Sequence, residues 1–197
     1  LEPQELDRYL ELGWFRMGQS IFTTNFLNFN HHIYSAIWLR LALDEIVPDK
    51  TELKLSKKNA SFRIEIQKAS ITPEKEALFE NYKQCIAFNP SPSLNSLLYG
   101  KETYNIYNTI EILLYDSNRL IAVGFFDIGA ATAMGITSFY DQSYKKYSLG
   151  KYLIFLKIDY CKKLGLKYFY PGYFTPGYDP FNYKVGIHKE ALQYLQL

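Results

Sequence analysis

Residues 109–128, TIEILLYDSNRLIAVGFFDI, are the stretch that decides the fold. Thr109–Tyr115 is rich in β-branched and aliphatic residues, which is typical of a strand. Asp116-Ser117-Asn118 has the composition of a tight turn, and Arg119–Ile128 is a second apolar run that can return beside the first. The stretch therefore predicts an antiparallel β-hairpin.

The residues that follow extend this hairpin into a larger sheet. Gly129–Thr132 predicts another turn, and Ala133–Tyr140 predicts a third strand. Ser148–Leu164 has apolar residues at helical spacing and is stopped by Gly165, and Leu166–Tyr170 predicts a final buried strand. Antiparallel strands followed by a helix and one more strand indicate an α+β fold, a largely antiparallel mixed sheet flanked by helices.

The first hundred residues carry shorter patterns. They predict a helix over Glu2–Leu12, strands over Ser20–Phe26, Ile33–Leu43 and Phe62–Lys68, and a loop or short helix over Pro48–Asn59. Thr72 predicts the start of a helix that runs to about Phe88, and Ser93 caps a shorter helix that ends at Tyr99. Because no stretch resembles a linker, we expect one domain over residues 1–197, with residues 1–70 as an N-terminal extension packed on the core.

Composition narrows the function classes. The net charge of +2 indicates that any RNA contact comes from local basic patches rather than from a global field. The sequence has no signal peptide and no apolar run long enough for a membrane span, so a cytoplasmic protein without membrane contact is expected. Cys85 and Cys161 lie far apart and among apolar residues, which predicts two reduced core thiols.

Lys145–Gly150, KKYSLG, forms the junction between a predicted strand and the long helix. A loop at a helix N-terminus can hold an anion through its backbone N–H groups and the helix dipole. The alternative is structural: Ser148 caps the helix and Gly150 lets it pack closely on the sheet. Spacing alone leaves both interpretations open.

Several segments together resemble the C-terminal domain of arginyl- and leucyl-tRNA–protein transferases. They are Gly13-Trp14-Phe15-Arg16-Met17-Gly18, Ser91-Pro92-Ser93, Arg119–Asp127, Tyr140-Asp141, Tyr147–Tyr152, Tyr170-Pro171-Gly172-Tyr173 and Tyr183-Lys184. The resemblance implies a GNAT-like (N-acetyltransferase-like) fold. It also implies transfer of an amino acid from charged tRNA to the N-terminal α-amine of an acceptor protein, with no cofactor beyond the aminoacyl-tRNA.

The resemblance and the chemistry together nominate site residues. Attack of an amine on an ester needs a neutral amine, a donor for the oxyanion and a proton for the leaving hydroxyl. The candidate catalytic residues are Glu111, Asp127 and Asp141. The alternative for Glu111 is a solvated residue on the outer face of the sheet, and the alternative for Asp141 is a residue that caps a turn. The candidates for binding the substrate or the tRNA end are Lys145, Lys146, Ser148, Gly150, Tyr170, Gly172, Tyr173, Tyr183 and Lys184. Tyr178 is a further candidate for stacking on the terminal adenine.

One region departs from the arginyl-transferases, which carry a cysteine cluster after the glycine–tryptophan segment. Residues 23–40 contain no cysteine here, and His31-His32 is the only tempting substitute. Adjacent residues of an extended segment point to opposite faces, so we expect no metal or iron–sulfur site. The departure weakens assignment as an arginyl-transferase and favours a branch with another donor or acceptor.

Three alternatives remain at this point. An acyl-CoA-dependent N-acetyltransferase would use the Lys145–Gly150 loop, although a glycine expected there is missing. A non-catalytic RNA- or protein-binding descendant of the fold would explain the missing cysteines. Peptidoglycan-bridge transferases also use aminoacyl-tRNA, but they usually join two such domains.

Overall fold

A computed structural model describes residues 1–29, 31–86 and 90–195. Two short hairpins come first: β1 (Phe15–Met17) with β2 (Ser20–Phe22), and β3 (Phe26–Phe29) with β4 (His32–Ser35). The main sheet contains β5 (Ile37–Ala42), β6 (Arg63–Lys68), β7 (Thr109–Asp116), β8 (Arg119–Ile128), β9 (Thr132–Tyr140), β10 (Tyr168–Phe174) and β11 (Leu192–Tyr194). Its strand order is β11-β5-β10-β9-β8-β7-β6, and the β9–β10 pair is parallel while the other pairs are antiparallel.

Helices cover both faces of this sheet. They are α1 (Pro3–Glu11), α2 (Lys50–Lys58), α3 (Pro73–Lys83), α4 (Leu94–Tyr99) and α5 (Leu149–Lys163), with 3-10 helices at Gln142–Tyr147, Asp179–Gly186 and Lys189–Ala191. One apolar cluster lies between the sheet and α5, and a second joins the sheet to α3 and α4. The architecture is the predicted mixed α+β fold. Across the described residues, no helix combines the length and apolar character needed to cross a bilayer.

The central parallel pair opens partway along its length. Tyr168, Phe169 and Tyr170 of β10 pair with Thr132, Ala133 and Met134 of β9, and the described pairing stops there. A bulge in β9 leaves Ile136 without a partner in β8. On the other side, β10 shifts register before Gly172, whose φ of +94° suits glycine. These irregularities separate the two strands, and the gap between them becomes a cavity.

The structure corrects several boundaries. The predicted strand Ile33–Leu43 is interrupted at Ala36, because β4 pairs with the β3 hairpin whereas β5 enters the main sheet. The predicted strand Ser20–Phe26 is likewise β2 and the beginning of β3. The stretch Pro48–Asn59, predicted as a loop or short helix, contains α2, with Asp49 as its N-cap.

Two further predictions fail near helix ends. α3 ends at Lys83, so Cys85 follows the helix and is exposed rather than a core thiol, whereas Cys161 is buried. The predicted helix end at Phe88 lies outside the described residues. α5 begins at Leu149: Ser148 occupies the N-cap position, as the structural alternative predicted, but its backbone is left-handed (φ 54°) and its side chain makes no capping hydrogen bond.

Candidate active site

A cavity of about 420 Å³ lies where β9 and β10 separate. Its wall is largely aromatic, formed by Phe15, Phe22, Phe29, Trp38, Phe79, Tyr82, Phe169, Tyr173 and Tyr183. Its polar side chains are Arg16, Ser91, Thr137, Ser138, Lys157 and Lys184. Among the described residues that line it there is no aspartate or glutamate. The cavity is therefore apolar in most of its wall and cationic in its charged groups.

Lys157 enters this cavity from α5 and is 2% exposed. Its Nζ donates to the carbonyl oxygens of Phe125 and Thr137, both at 2.9 Å, and to Ser138 Oγ at 3.0 Å. Gly124 makes room for the side chain, because a Cβ there would lie 2.9 Å from Lys157 Cε. Burial, with a smaller effect from Lys184, lowers the pKa of Lys157 to about 7. Lys157 and Ser138 thus form a hydrogen-bonded pair on the cavity wall.

Lys184 lies on the opposite wall, beside β10. Its Nζ donates to the Tyr173 carbonyl oxygen at 2.9 Å, and a Cβ at Gly172 would lie 3.3 Å from that Nζ. Burial lowers the pKa of Lys184 to about 8. Four of the predicted binding residues, Gly172, Tyr173, Tyr183 and Lys184, line the cavity together.

Asp127 is completely buried in an ion pair with Arg16. Arg16 Nη1 donates to Asp127 Oδ1 and Oδ2 at 2.7 and 2.9 Å, and Thr109 Oγ1 donates to Oδ1 at 2.5 Å. The other Arg16 nitrogens reach carbonyl oxygens of Gly18 and Leu98. Burial raises the Asp127 pKa, and the Arg16 guanidinium opposes that rise. Asp127 faces this network and does not line the cavity.

Glu111 has a similar environment on the face of the sheet covered by α3. Lys75 Nζ donates to both of its carboxylate oxygens at 2.6 and 2.7 Å, and Gln67 Nε2 donates to Oε1 at 2.8 Å. The side chain is 0% exposed. The alternative of a solvated outer-face residue is therefore wrong, yet Glu111 also lies outside the cavity lining.

The other predicted residues are not among those that line the cavity. Asp141 caps the 3-10 helix by accepting from the Ser143 amide at 2.9 Å, and it pairs with Arg119. Tyr170 is 1% exposed and packs against Phe15. In the predicted anion loop, Lys145 and Lys146 are exposed on the 3-10 helix, while Ser148 is the N-cap residue of α5 and Gly150 lies in its first turn.

Sequence reasoning missed Lys157 and Ser138. Lys157 lies four residues after Leu153 and eight after Leu149, so it falls on the apolar stripe of α5. A charged residue on a buried stripe is the signal that could have found it. Ser138 carried no such signal, because its position depends on the bulge in β9.

No three His, Cys, Asp or Glu side chains are grouped for a metal ion in the part of the chain that the structure describes. The reason given above for His31-His32 needs correction. His31 has a φ of 65° in the turn between β3 and β4, so the two residues are not in one extended segment.

A sheet with helices on both faces and a cavity between two separating parallel strands defines a GNAT-like acyltransferase fold. Solved structures agree with this class. FemX has a TM-score of 0.56 at 7% identity and covers 96% of this chain and 65% of that chain. L-PGS from Bacillus licheniformis has a TM-score of 0.51 at 10% identity and covers 87% of this chain and 50% of that one. At such identities these similarities concern the fold alone.

The chain belongs to the arginine-tRNA-protein transferase family, whose C-terminal family model matches residues 72–193. A relative from Leptospira interrogans is 29% identical over 193 residues, covering 92% of this chain and 73% of the relative. Another from Helicobacter hepaticus is 27% identical over 184 residues, covering 89% and 73%. Both relatives are named aspartate/glutamate leucyltransferase. The chain is thus an aminoacyltransferase of the family that transfers an amino acid from tRNA to a protein N-terminus.

Proposed function

We propose that this chain transfers an apolar amino acid, leucine in the first instance, from charged tRNA to acceptor proteins that begin with Asp or Glu. The observation that carries the proposal is the cavity between β9 and β10, whose described lining residues include no aspartate or glutamate. A leucyl side chain can be buried against its aromatic wall, whereas an arginyl guanidinium would be buried without a carboxylate partner. The names of the relatives support the same choice of donor and acceptor.

The charges of the cavity support an acidic acceptor. Lys184 contributes an ammonium group to its wall. The carboxylate of an N-terminal Asp or Glu gains a favourable interaction there, and an N-terminal Lys or Arg meets like charge. Charge at the site thus discriminates acceptors.

The reaction requires one bond to form and one to break. The acceptor nitrogen attacks the ester carbonyl carbon, and the bond to the ribose oxygen then breaks. We propose that the Ser138 hydroxyl receives the amine proton while Lys157 takes the hydroxyl proton, and that this relay returns a proton to the ribose oxygen. A group with a pKa near neutrality is suited to both steps.

The need for charged tRNA also supports the cytoplasmic location expected from sequence.

The test is a transfer assay with purified chain, tRNA charged with radiolabelled leucine or arginine, and peptides that differ only in their first residue. We expect label from leucyl-tRNA on the Asp and Glu peptides and little on the Lys peptide. Transfer of arginine in preference to leucine would contradict the donor assignment. No transfer from either charged tRNA, together with micromolar binding of acetyl-CoA, would favour the acetyltransferase alternative instead.

A further inference from the structure

One face of α2 consists of lysines. Lys50, Lys54, Lys57 and Lys58 are all exposed, and their spacing places them on one side of the helix. The opposite side carries the buried Glu52 and Leu55. The helix therefore presents a continuous cationic stripe to solvent.

A second pair of lysines lies beside this stripe. Lys58 Nζ donates to the Lys146 carbonyl oxygen, and Asn59 Nδ2 donates to the Tyr147 carbonyl oxygen at 3.2 Å. Lys58 and Lys146 also lie over the same Tyr147 ring, with Nζ atoms 5.7 and 5.2 Å from its centroid. We call the combined surface the basic face; its members are Lys50, Lys54, Lys57, Lys58, Lys145 and Lys146.

The positive charge of the basic face is not balanced by ion pairs. In the described parts of the chain, none of its six lysines forms a salt bridge. Three carboxylates of this region have other partners: Asp49 accepts from the Glu52 amide, Asp141 pairs with Arg119, and Glu52 lies 3.4 Å from His188. A local field of this kind attracts a polyanion although the whole chain is only +2.

The basic face leads toward the cavity. Its 3-10 helix continues into α5, where a Cβ at Gly150 would touch the Tyr140 ring at 3.4 Å. The Tyr140 ring lies 5.7 Å from the ring of Tyr82, which lines the cavity. Gly150, Tyr140 and Tyr82 therefore connect the start of α5, beside the basic face, to the cavity.

We infer that the basic face binds the phosphate backbone of the tRNA acceptor stem while the aminoacyl end enters the cavity. This inference rests on the proposed function and deepens it. Lys145 and Lys146 thereby contact the stem rather than the terminal nucleotide, which agrees with their absence from the cavity lining. Phosphate contacts fix the position of the nucleic acid and make its binding depend on salt.

The test compares two double variants with the same charge change. K54E/K57E alters the basic face, and K163E/K167E alters exposed lysines at and beyond the C-terminal end of α5. KM is measured for leucyl-tRNA, and for a short donor, leucine esterified to a trinucleotide that ends in adenosine. For K54E/K57E we expect KM for leucyl-tRNA to rise at least about tenfold and the slope of log KM against log salt to fall by about 2. KM for the short donor should stay unchanged, and the control variant should match the wild type within about twofold.

Two outcomes would overturn the inference. A matching loss with the short donor would mean that the substitutions disturb the cavity, and a matching loss in K163E/K167E would mean that net charge alone matters. Failure of the proposed function gives a different result, since wild-type protein would then transfer from neither donor. In that case, filter retention of tRNA by wild type and K54E/K57E still tests the basic face: equal retention overturns the inference, and weaker retention by K54E/K57E supports it.

Discussion

Asp127→Ala is expected to lower the free energy of unfolding by about 3–5 kcal/mol, because it leaves the Arg16 guanidinium buried without its counterion. Arg16 and Asp127 have side chains only 1% and 0% exposed, so water cannot replace the lost partner. The network also joins β1 to β7 and β8, so a part of the N-terminal region loses its attachment to the sheet. Urea unfolding followed by circular dichroism measures the change.

A matched control comes from an exposed ion pair. Arg119 pairs with Asp141, but its side chain is 63% exposed. Arg119→Ala should therefore cost no more than about 1 kcal/mol. We propose that Asp127 acts on stability rather than on chemistry. An Asp127→Ala variant that keeps wild-type stability but transfers no amino acid would contradict this and restore Asp127 as a catalytic residue.

Lys157→Met should lower kcat by at least about 10²-fold with little change in KM for leucyl-tRNA. Methionine fills a similar space but cannot exchange a proton, and general acid–base groups contribute about 10²–10⁴-fold. Ser138→Ala should give a similar loss, and the double variant should be no worse than either single variant if the two residues act as a unit. Lys167→Met, at an exposed position, is the control. Steady-state kinetics on all four variants decides the matter, and independent, additive losses would argue against a relay.

The pH dependence of Lys157→Met provides a second readout. With a pKa of about 7, Lys157 becomes neutral as the pH rises. The wild-type transfer rate should therefore rise with pH around pH 7, and the rate of Lys157→Met should not show this rise. Lys184 and Cys161, the other charged or titratable groups that influence Lys157, are retained in the variant. Stability follows the same logic: from about pH 7 to 10.5 the unfolded chain holds the Lys157 proton and the folded chain does not. In this window the free energy of unfolding of the wild type should therefore include a contribution that rises with pH. Lys157→Met should lack this contribution.

The sequence predicted the central strands well because each is a long, mostly apolar run bounded by turn residues. Arg119–Ile128 was predicted with the bounds that the structure gives β8, and Ala133–Tyr140 differs from β9 by one residue. The N-terminal strands were harder, because within the described residues β3 and β4 pair with each other and form a sheet separate from the main one. Local pattern does not tell which sheet a strand will join.

The site was predicted only in part, for a related reason. Tyr183 and Lys184 were found through the resemblance, and they line the cavity. Glu111 and Asp127 were correctly placed on neighbouring strands, but their partners Lys75 and Arg16 come from distant parts of the chain. No short-range pattern reveals that a carboxylate is already paired. The orientation of Ser138 toward the cavity depends on a bulge in β9 that the local sequence does not predict.

The most direct measurement of the central claim is a crystal structure with a non-hydrolysable leucyl-adenosine analogue. We expect the leucyl side chain against the aromatic wall between β9 and β10. The analogue's carbonyl carbon, which stands in for the ester carbon, should lie within reach of Ser138 Oγ, and the adenosine should extend toward Tyr82 and the basic face. Analogue bound elsewhere, with the cavity still filled only by water, would contradict the account.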